Sequence, residues 1–280
     1  MKRRGSVPAL LGLVLAAGLA ASGPSPTQFR PEEIAQDAAW MDFLATAPII
    51  DAERGKIRAV TNPWVLTLEK GGTTQKAIWK NPEGRMGGFL EGWKWEIAAY
   101  RLDRLLGLNM VPPTIERRFR ENRGSLQLWV ESKMPYRKMM EDKSLRLPGG
   151  LVSVKWNRAI SLQRAFDNLI ANEDRHGENI LITEDWRLIL IDHSRTFRTS
   201  PKFTQKLIYH EKRREGDWSV DSLPRDVWER FKTLDVALIK AAVGEYLTDE
   251  EIRACLVRRD LQVADLEAKI AAKGETQVLY

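Results

Sequence analysis

The stretch Asn172-Glu173-Asp174-Arg175-His176-Gly177-Glu178-Asn179 runs into two short apolar segments, Ile180 to Thr183 and Trp186 to Ile191, separated by Glu184-Asp185. Apolar runs on either side of a polar turn predict a β-hairpin. Asp174 and Asn179 stand at its entrance, and Asp192 ends its second strand. A chain that folds here must bury both strands while holding three polar side chains around them.

Those side-chain types suit one chemistry in particular. A carboxylate such as Asp174, set beside a substrate hydroxyl, accepts its proton and orients the oxygen for attack. The amide oxygen of Asn179 and the carboxylate of Asp192 are hard donors suited to Mg²⁺. Taken singly, Asp174 and Asn179 read as a polar turn and Asp192 as a strand-end cap. Taken together around a hairpin, they read as the catalytic base and metal ligands of a phosphoryl-transfer enzyme.

A chain of 280 residues with 43% hydrophobic and 29% charged residues is long and apolar enough for one large domain or two small lobes. Disorder is excluded by that composition. The net charge of +6 favours acidic or phosphate-bearing partners. No helix-turn-helix or zinc signature accompanies it, so nucleic acid is not an expected partner. His176 and His193 belong to no zinc-binding spacing, and no Walker sequence occurs. Lys212-Arg213-Arg214 reads as a solvated basic turn.

Residues 1–23 read as a signal peptide. Lys2, Arg3 and Arg4 precede an apolar run from Val7 to Ala20, and Ala20-Ala21-Ser22-Gly23 offers the small residues of a cleavage site. The expected location is therefore periplasmic or secreted, with membrane contact only through this segment if it stays uncleaved. Cys255 is the single cysteine, so no intramolecular disulfide can form. A linker and short helix (24–45) then lead to a strand-rich unit (46–133) and a mostly helical unit (134–280).

Within the first unit, Ala59 to Leu68 and Gln75 to Lys80 read as strands joined at Gly71-Gly72. Pro82 to Gly88 reads as a loop, and Phe89 to Leu106 as an amphipathic helix stopped by Gly107. Ile115 to Phe119 and Leu126 to Val130 form a second strand pair around Asn122-Arg123-Gly124. In the second unit Val154 to Ala171 is a buried helix, Thr248-x-x-Glu251 is a capping box, and the last helix ends near Gly274. Strand pair, helix, strand pair and then helices make the fold class α+β.

Asp174-Arg175-His176-x-x-Asn179 with Asp192-His193-Ser194 resembles the atypical branch of the protein-kinase-like superfamily. That branch holds the phosphatidylinositol 3- and 4-kinases, the persistence-toxin kinases and the secretory-pathway casein kinases. The likeness extends to Trp93-x-x-Glu96-Ile97-Ala98-Ala99-Tyr100 and on to Gly107 and Val111-Pro112, and so covers about residues 60–200. Phosphatidylinositol kinases carry Asp-Phe-Gly where this chain has Asp192-His193-Ser194, which keeps the acid and loses the glycine.

The resemblance implies a bilobal fold with a small β-rich lobe, a larger helical lobe, and ATP with Mg²⁺ (or Mn²⁺) between them. It implies a lysine on the third strand and a glutamate on the following helix. Lys80 fits the first role, with Lys76 on the same strand face as its rival. Glu96 fits the second, with Glu91 as the alternative. Gly71-Gly72 is the candidate turn over the phosphates, and Gly84, Gly87 and Gly88 are the competing set. His176 is implied to support the loop, and Arg175 to pair with a phosphate or a local carboxylate. The implied activity is transfer of the ATP γ-phosphate to a hydroxyl of a protein, lipid or small molecule. Transfer of AMP on the same fold, and nucleotide sensing without catalysis, are the two other readings.

Overall fold

The computed structural model describes residues 29–54, 62–210 and 219–280. The expected signal segment, the first residues of the linker, the start of the strand expected from Ala59, and Lys212-Arg213-Arg214 lie outside the described residues. Among the described residues no helix is long and apolar enough to cross a membrane.

The architecture is α+β. After helices α1 (Pro31–Ile34) and α2 (Asp37–Thr46) come strands β1 (Ile49–Arg54), β2 (Trp64–Lys70) and β3 (Thr73–Lys80). A small hairpin, β4 (Glu83–Met86) and β5 (Phe89–Gly92), precedes helix α3 (Trp93–Leu106). Strands β6 (Thr114–Phe119) and β7 (Asn122–Leu128) complete an antiparallel five-stranded sheet of order β1-β2-β3-β7-β6. Then follow β8 (Met134–Pro135), helices α4 (Tyr136–Glu141) and α5 (Leu151–Ile170), and strands β9 (Ile180–Ile182) and β10 (Leu188–Leu190). Helices α6 (Pro201–Thr204), α7 (Arg225–Thr233), α8 (Val236–Val243), α9 (Asp249–Lys273) and α10 (Glu275–Val278) finish the chain.

Period-two alternation decides which side of the sheet carries chemistry. Ala77 and Trp79 of β3 point into a core with Phe43, Leu44, Leu66, Leu68 and Leu126, so α2 covers that face. Lys80 has the opposite parity and meets α3 on the other face. Gly124 of β7 lies beside it for a steric reason. A Cβ there would stand 2.5 Å from the Lys80 carbonyl oxygen and 2.7 Å from the Trp79 ring.

A larger core joins α3, α5, α7, α8 and α9, with Leu102, Leu106, Phe166, Leu169, Phe231 and Leu266 fully buried. Burying each such side chain stabilises the fold by about 1.5–3 kcal/mol. Helix α3 stops at Gly107, whose left-handed φ of 67° lets its N–H and that of Leu108 return to the Arg104 and Asp103 carbonyls. At the start of α9 Thr248 and Glu251 cap each other's backbone N–H groups, as the spacing predicts.

Three local expectations are corrected. Pro82 to Gly88 is not a plain loop, and the helix does not begin at Phe89. Glu83–Met86 and Phe89–Gly92 pair as a hairpin, and α3 starts at Trp93. Gly87 and Gly88, both at positive φ, turn that hairpin tightly. The β6–β7 turn is made by Arg120 and Glu121, at φ 47° and 67°, so Asn122 to Gly124 belong to the strand. Finally, Ile49–Arg54 forms an edge strand that the sequence pattern does not announce.

Candidate functional site

Lys80 ends β3, and its ammonium group lies 2.8 Å from Glu96 Oε1 on α3 and 2.9 Å from Asp192 Oδ1 beyond β10. Asp192 is separated from Lys80 by 112 residues of sequence, so only the tertiary fold unites them. Lys80 and Glu96 are buried. Burial alone would pull the lysine down, but Asp192 and Glu96 outweigh it and hold its pKa above the ordinary value. Burial likewise pushes Glu96 up, yet Lys80 and His193 carry it well below the usual carboxylate range. Both groups are therefore charged. Lys76 is exposed and lies outside this cluster.

Glu96 holds the segment after β10 as well. Its Oε2 accepts from the His193 backbone N–H at 2.9 Å, which fixes Asp192 at a left-handed φ of 59°. Such a conformation is uncommon for a residue with a side chain and persists where surroundings over-determine it. Here the Lys80 ion pair, the His193 N–H and the Ser194 hydroxyl, 3.1 Å from Asp192 Oδ1, supply those constraints.

Arg175 is a structural staple. Its guanidinium pairs with buried Asp167 at 2.9 and 3.1 Å and donates to the Asn179 and Ile191 carbonyls, both at 2.8 Å. It thereby ties the loop before β9 to the end of β10, and of its two expected partners the local carboxylate is the one found. Arg175 Nη2 also lies 2.9 Å from His193 Nε2. Arg175 can only donate, so Nε2 accepts and the His193 proton sits on Nδ1, 3.7 Å from Glu96 Oε2. Burial first, and Arg175 second, keep the His193 pKa below its ordinary value, so the ring is neutral.

Position 193 thus holds a buried histidine whose backbone N–H meets Glu96 and whose ring meets Arg175. His193→Phe should fill the volume but leave the Arg175 contact unmade. The expected cost is about 1–3 kcal/mol in urea unfolding at pH 8. The wild type should lose more stability than this variant as pH falls below 6.5, because His193 takes up a proton more readily unfolded than folded.

Asp174 lies on the loop before β9, its backbone N–H accepted by Asn172 Oδ1 at 3.1 Å. Its side chain is 34% exposed, open enough for a substrate to reach, and Oδ2 stands 3.1 Å from Arg195 Nη1. Asn179 donates Nδ2 to the Asp174 carbonyl at 3.1 Å, which leaves its amide oxygen for another partner. His176 caps the turn Gly177–Asn179 by accepting from the Glu178 N–H at 3.3 Å.

Among the described residues no group of three or more His, Cys, Asp or Glu side chains could hold a metal ion. The donor set here is smaller: the Asn179 amide oxygen and the Asp192 carboxylate. Both are hard oxygen donors of the kind Mg²⁺ accepts.

The structure does not bring Gly71 and Gly72 to this cluster. With φ of 60° and 78° they form the two-residue turn between β2 and β3, and Lys80 lies at the other end of β3. Eight residues of strand at ~3.3 Å each put about 26 Å between them. The reason is geometric: a glycine pair satisfies the hairpin turn, and the strand carries the lysine away from it. The competing glycines lie closer. The hairpin holding Gly84, Gly87 and Gly88 bonds the segment after Asp192, with Gly92 N–H to the Ser194 carbonyl at 2.9 Å and Arg198 Nη2 to the Leu90 carbonyl at 2.6 Å.

Glu91 is not a helical alternative to Glu96. It sits buried on β5, 2.5 Å from Arg195 Nε. Sequence reading assigns no role to Arg195 or Asp167, since neither belongs to a spacing motif. No family model matches the sequence, and no curated protein matches it significantly, so a functional reading rests on the residues of this site.

Proposed function

We propose that the chain is an exported, bilobal kinase-like phosphotransferase that moves the γ-phosphate of ATP to a hydroxyl of a protein, lipid or small-molecule acceptor. The observation that carries this reading is the ion-pair cluster of Lys80, Glu96 and Asp192, the first two buried, with Asp174 and Asn179 on the adjoining loop. A buried ion pair seldom recovers its desolvation cost and is weak evidence of a purely stabilising role. Among the described residues Lys80 pairs with both Glu96 and Asp192, and Arg195 with both Glu91 and Asp174.

In this reading the cleft lies between the sheet with α3 and the helical region that follows. Lys80, fixed by Glu96, holds the α- and β-phosphates. Asn179 and Asp192 would hold Mg²⁺, which would supply charge neutralisation on the phosphates. The acceptor oxygen, oriented by Asp174, forms a bond to Pγ. The bond from Pγ to the β,γ-bridging oxygen breaks, and its electron pair leaves with ADP. The acceptor proton passes to the Asp174 carboxylate.

Products formed from ATP labelled separately at the α- and γ-phosphates test the reaction class. Label reaching the acceptor from the γ position alone, absent with Asp192→Ala, is the expected result. An acceptor adduct of adenylate mass would replace phosphoryl with AMP transfer. Stoichiometric binding of Mg·ATP with no turnover would leave a nucleotide sensor.

A further inference from the structure

We propose that Arg195 is a catalytic residue that contacts the phosphoryl group in transit, an assignment that rests on the phosphotransferase reading. Two observations place it there. Arg195 is three residues beyond Asp192, whose carboxylate is on Lys80, and its own Nη1 is 3.1 Å from Asp174 Oδ2. A group passing from a nucleotide on Lys80 to a hydroxyl at Asp174 must therefore cross beside this guanidinium.

The side chain is also held in place. Glu91, buried on β5, binds Nε at 2.5 Å, and the Phe89 ring lies 4.3 Å from the guanidinium carbon. Among the described residues Nη2 makes no hydrogen bond, so one arm of the fork is free while the other steadies the base. The side chain retains 13% exposure.

A role as a simple structural staple accounts poorly for this arrangement. Glu91 and Asp174 occupy Nε and Nη1, and a staple for those two carboxylates leaves the Nη2 donors without a use. The phosphoryl group in transit spreads negative charge over three equatorial oxygens, and a planar fork of N–H donors matches them. In the step itself the acceptor O–Pγ bond forms, the bridging bond breaks toward ADP, and the proton goes to Asp174. Arg195 gains and loses nothing; it stabilises charge.

The test needs no knowledge of the acceptor. Mg·ADP, with and without aluminium fluoride as a mimic of the transferred group, is titrated into full-length wild type and into Arg195→Ala by calorimetry. Wild type should bind Mg·ADP and tighten at least about tenfold with aluminium fluoride. Arg195→Ala should bind Mg·ADP within about threefold of wild type but lose the tightening, and added guanidinium ion should restore part of it. A merely structural residue would weaken both ligands together, and that outcome overturns the proposal. Equal tightening in both proteins, or none in wild type, overturns it as well. Failure of wild type to bind Mg·ADP at all would instead remove the phosphotransferase reading, and this assignment with it.

Discussion

Asp174→Asn is expected to lower ATP-dependent transfer by about 10²–10⁴-fold in turnover number, the usual range for losing a positioned base. Mg·ATP affinity should stay within about threefold, because the proposed mechanism assigns the nucleotide to Lys80 and the metal oxygens rather than to Asp174. The substitution is nearly isosteric, and at 34% side-chain exposure the site tolerates it, so thermal unfolding should move little. Steady-state kinetics beside a melting curve separate the two effects. A variant with wild-type turnover would remove Asp174 from the mechanism.

The second large effect is on stability. Lys80→Ala leaves Glu96 and Asp192 without their shared cation, one carboxylate buried and the other partly so. Removing one partner of a buried ion pair costs about 3–5 kcal/mol. Chemical denaturation of the unliganded protein measures it. The pH dependence gives an independent check. The Glu96 pKa is depressed, so its contribution is complete above the ordinary value of 4.5 and fades as pH falls toward the folded value. The Lys80 pKa is raised, so its contribution is complete below 10.5 and fades only at more alkaline pH. The gap between wild type and Lys80→Ala should therefore be flat from about pH 5 to 10 and shrink in acid. A gap that grows on acidification would contradict the ion-pair account.

Much of this site is legible in the sequence because its parts obey local rules. Asp174 and Asn179 precede a hairpin whose apolar strands alternate with a polar turn, and Asp192 ends the second strand. Lys80 closes an alternating strand, and Glu96 lies in a helix marked by periodic apolar residues and a terminal glycine. What the sequence hides is determined at long range. Glu91 and Arg195 are 104 residues apart and meet only because the β4–β5 hairpin folds back on the segment after Asp192. That hairpin has four-residue strands interrupted by glycine, too short for periodicity to register. Gly71-Gly72 misleads in the opposite sense: the pair is conspicuous, but the backbone needs it to turn β2 into β3. The structural role of His193 becomes visible only once Arg175 and Glu96 are seen on either side of it.

Calorimetric titration of Mg·ATP into wild type and Asp192→Ala tests the central claim most directly. Wild type should bind one equivalent of nucleotide in a Mg²⁺-dependent manner, and Asp192→Ala should weaken that binding at least about tenfold, about 1.4 kcal/mol. No binding by folded wild-type protein, or equal binding by both proteins, would contradict it.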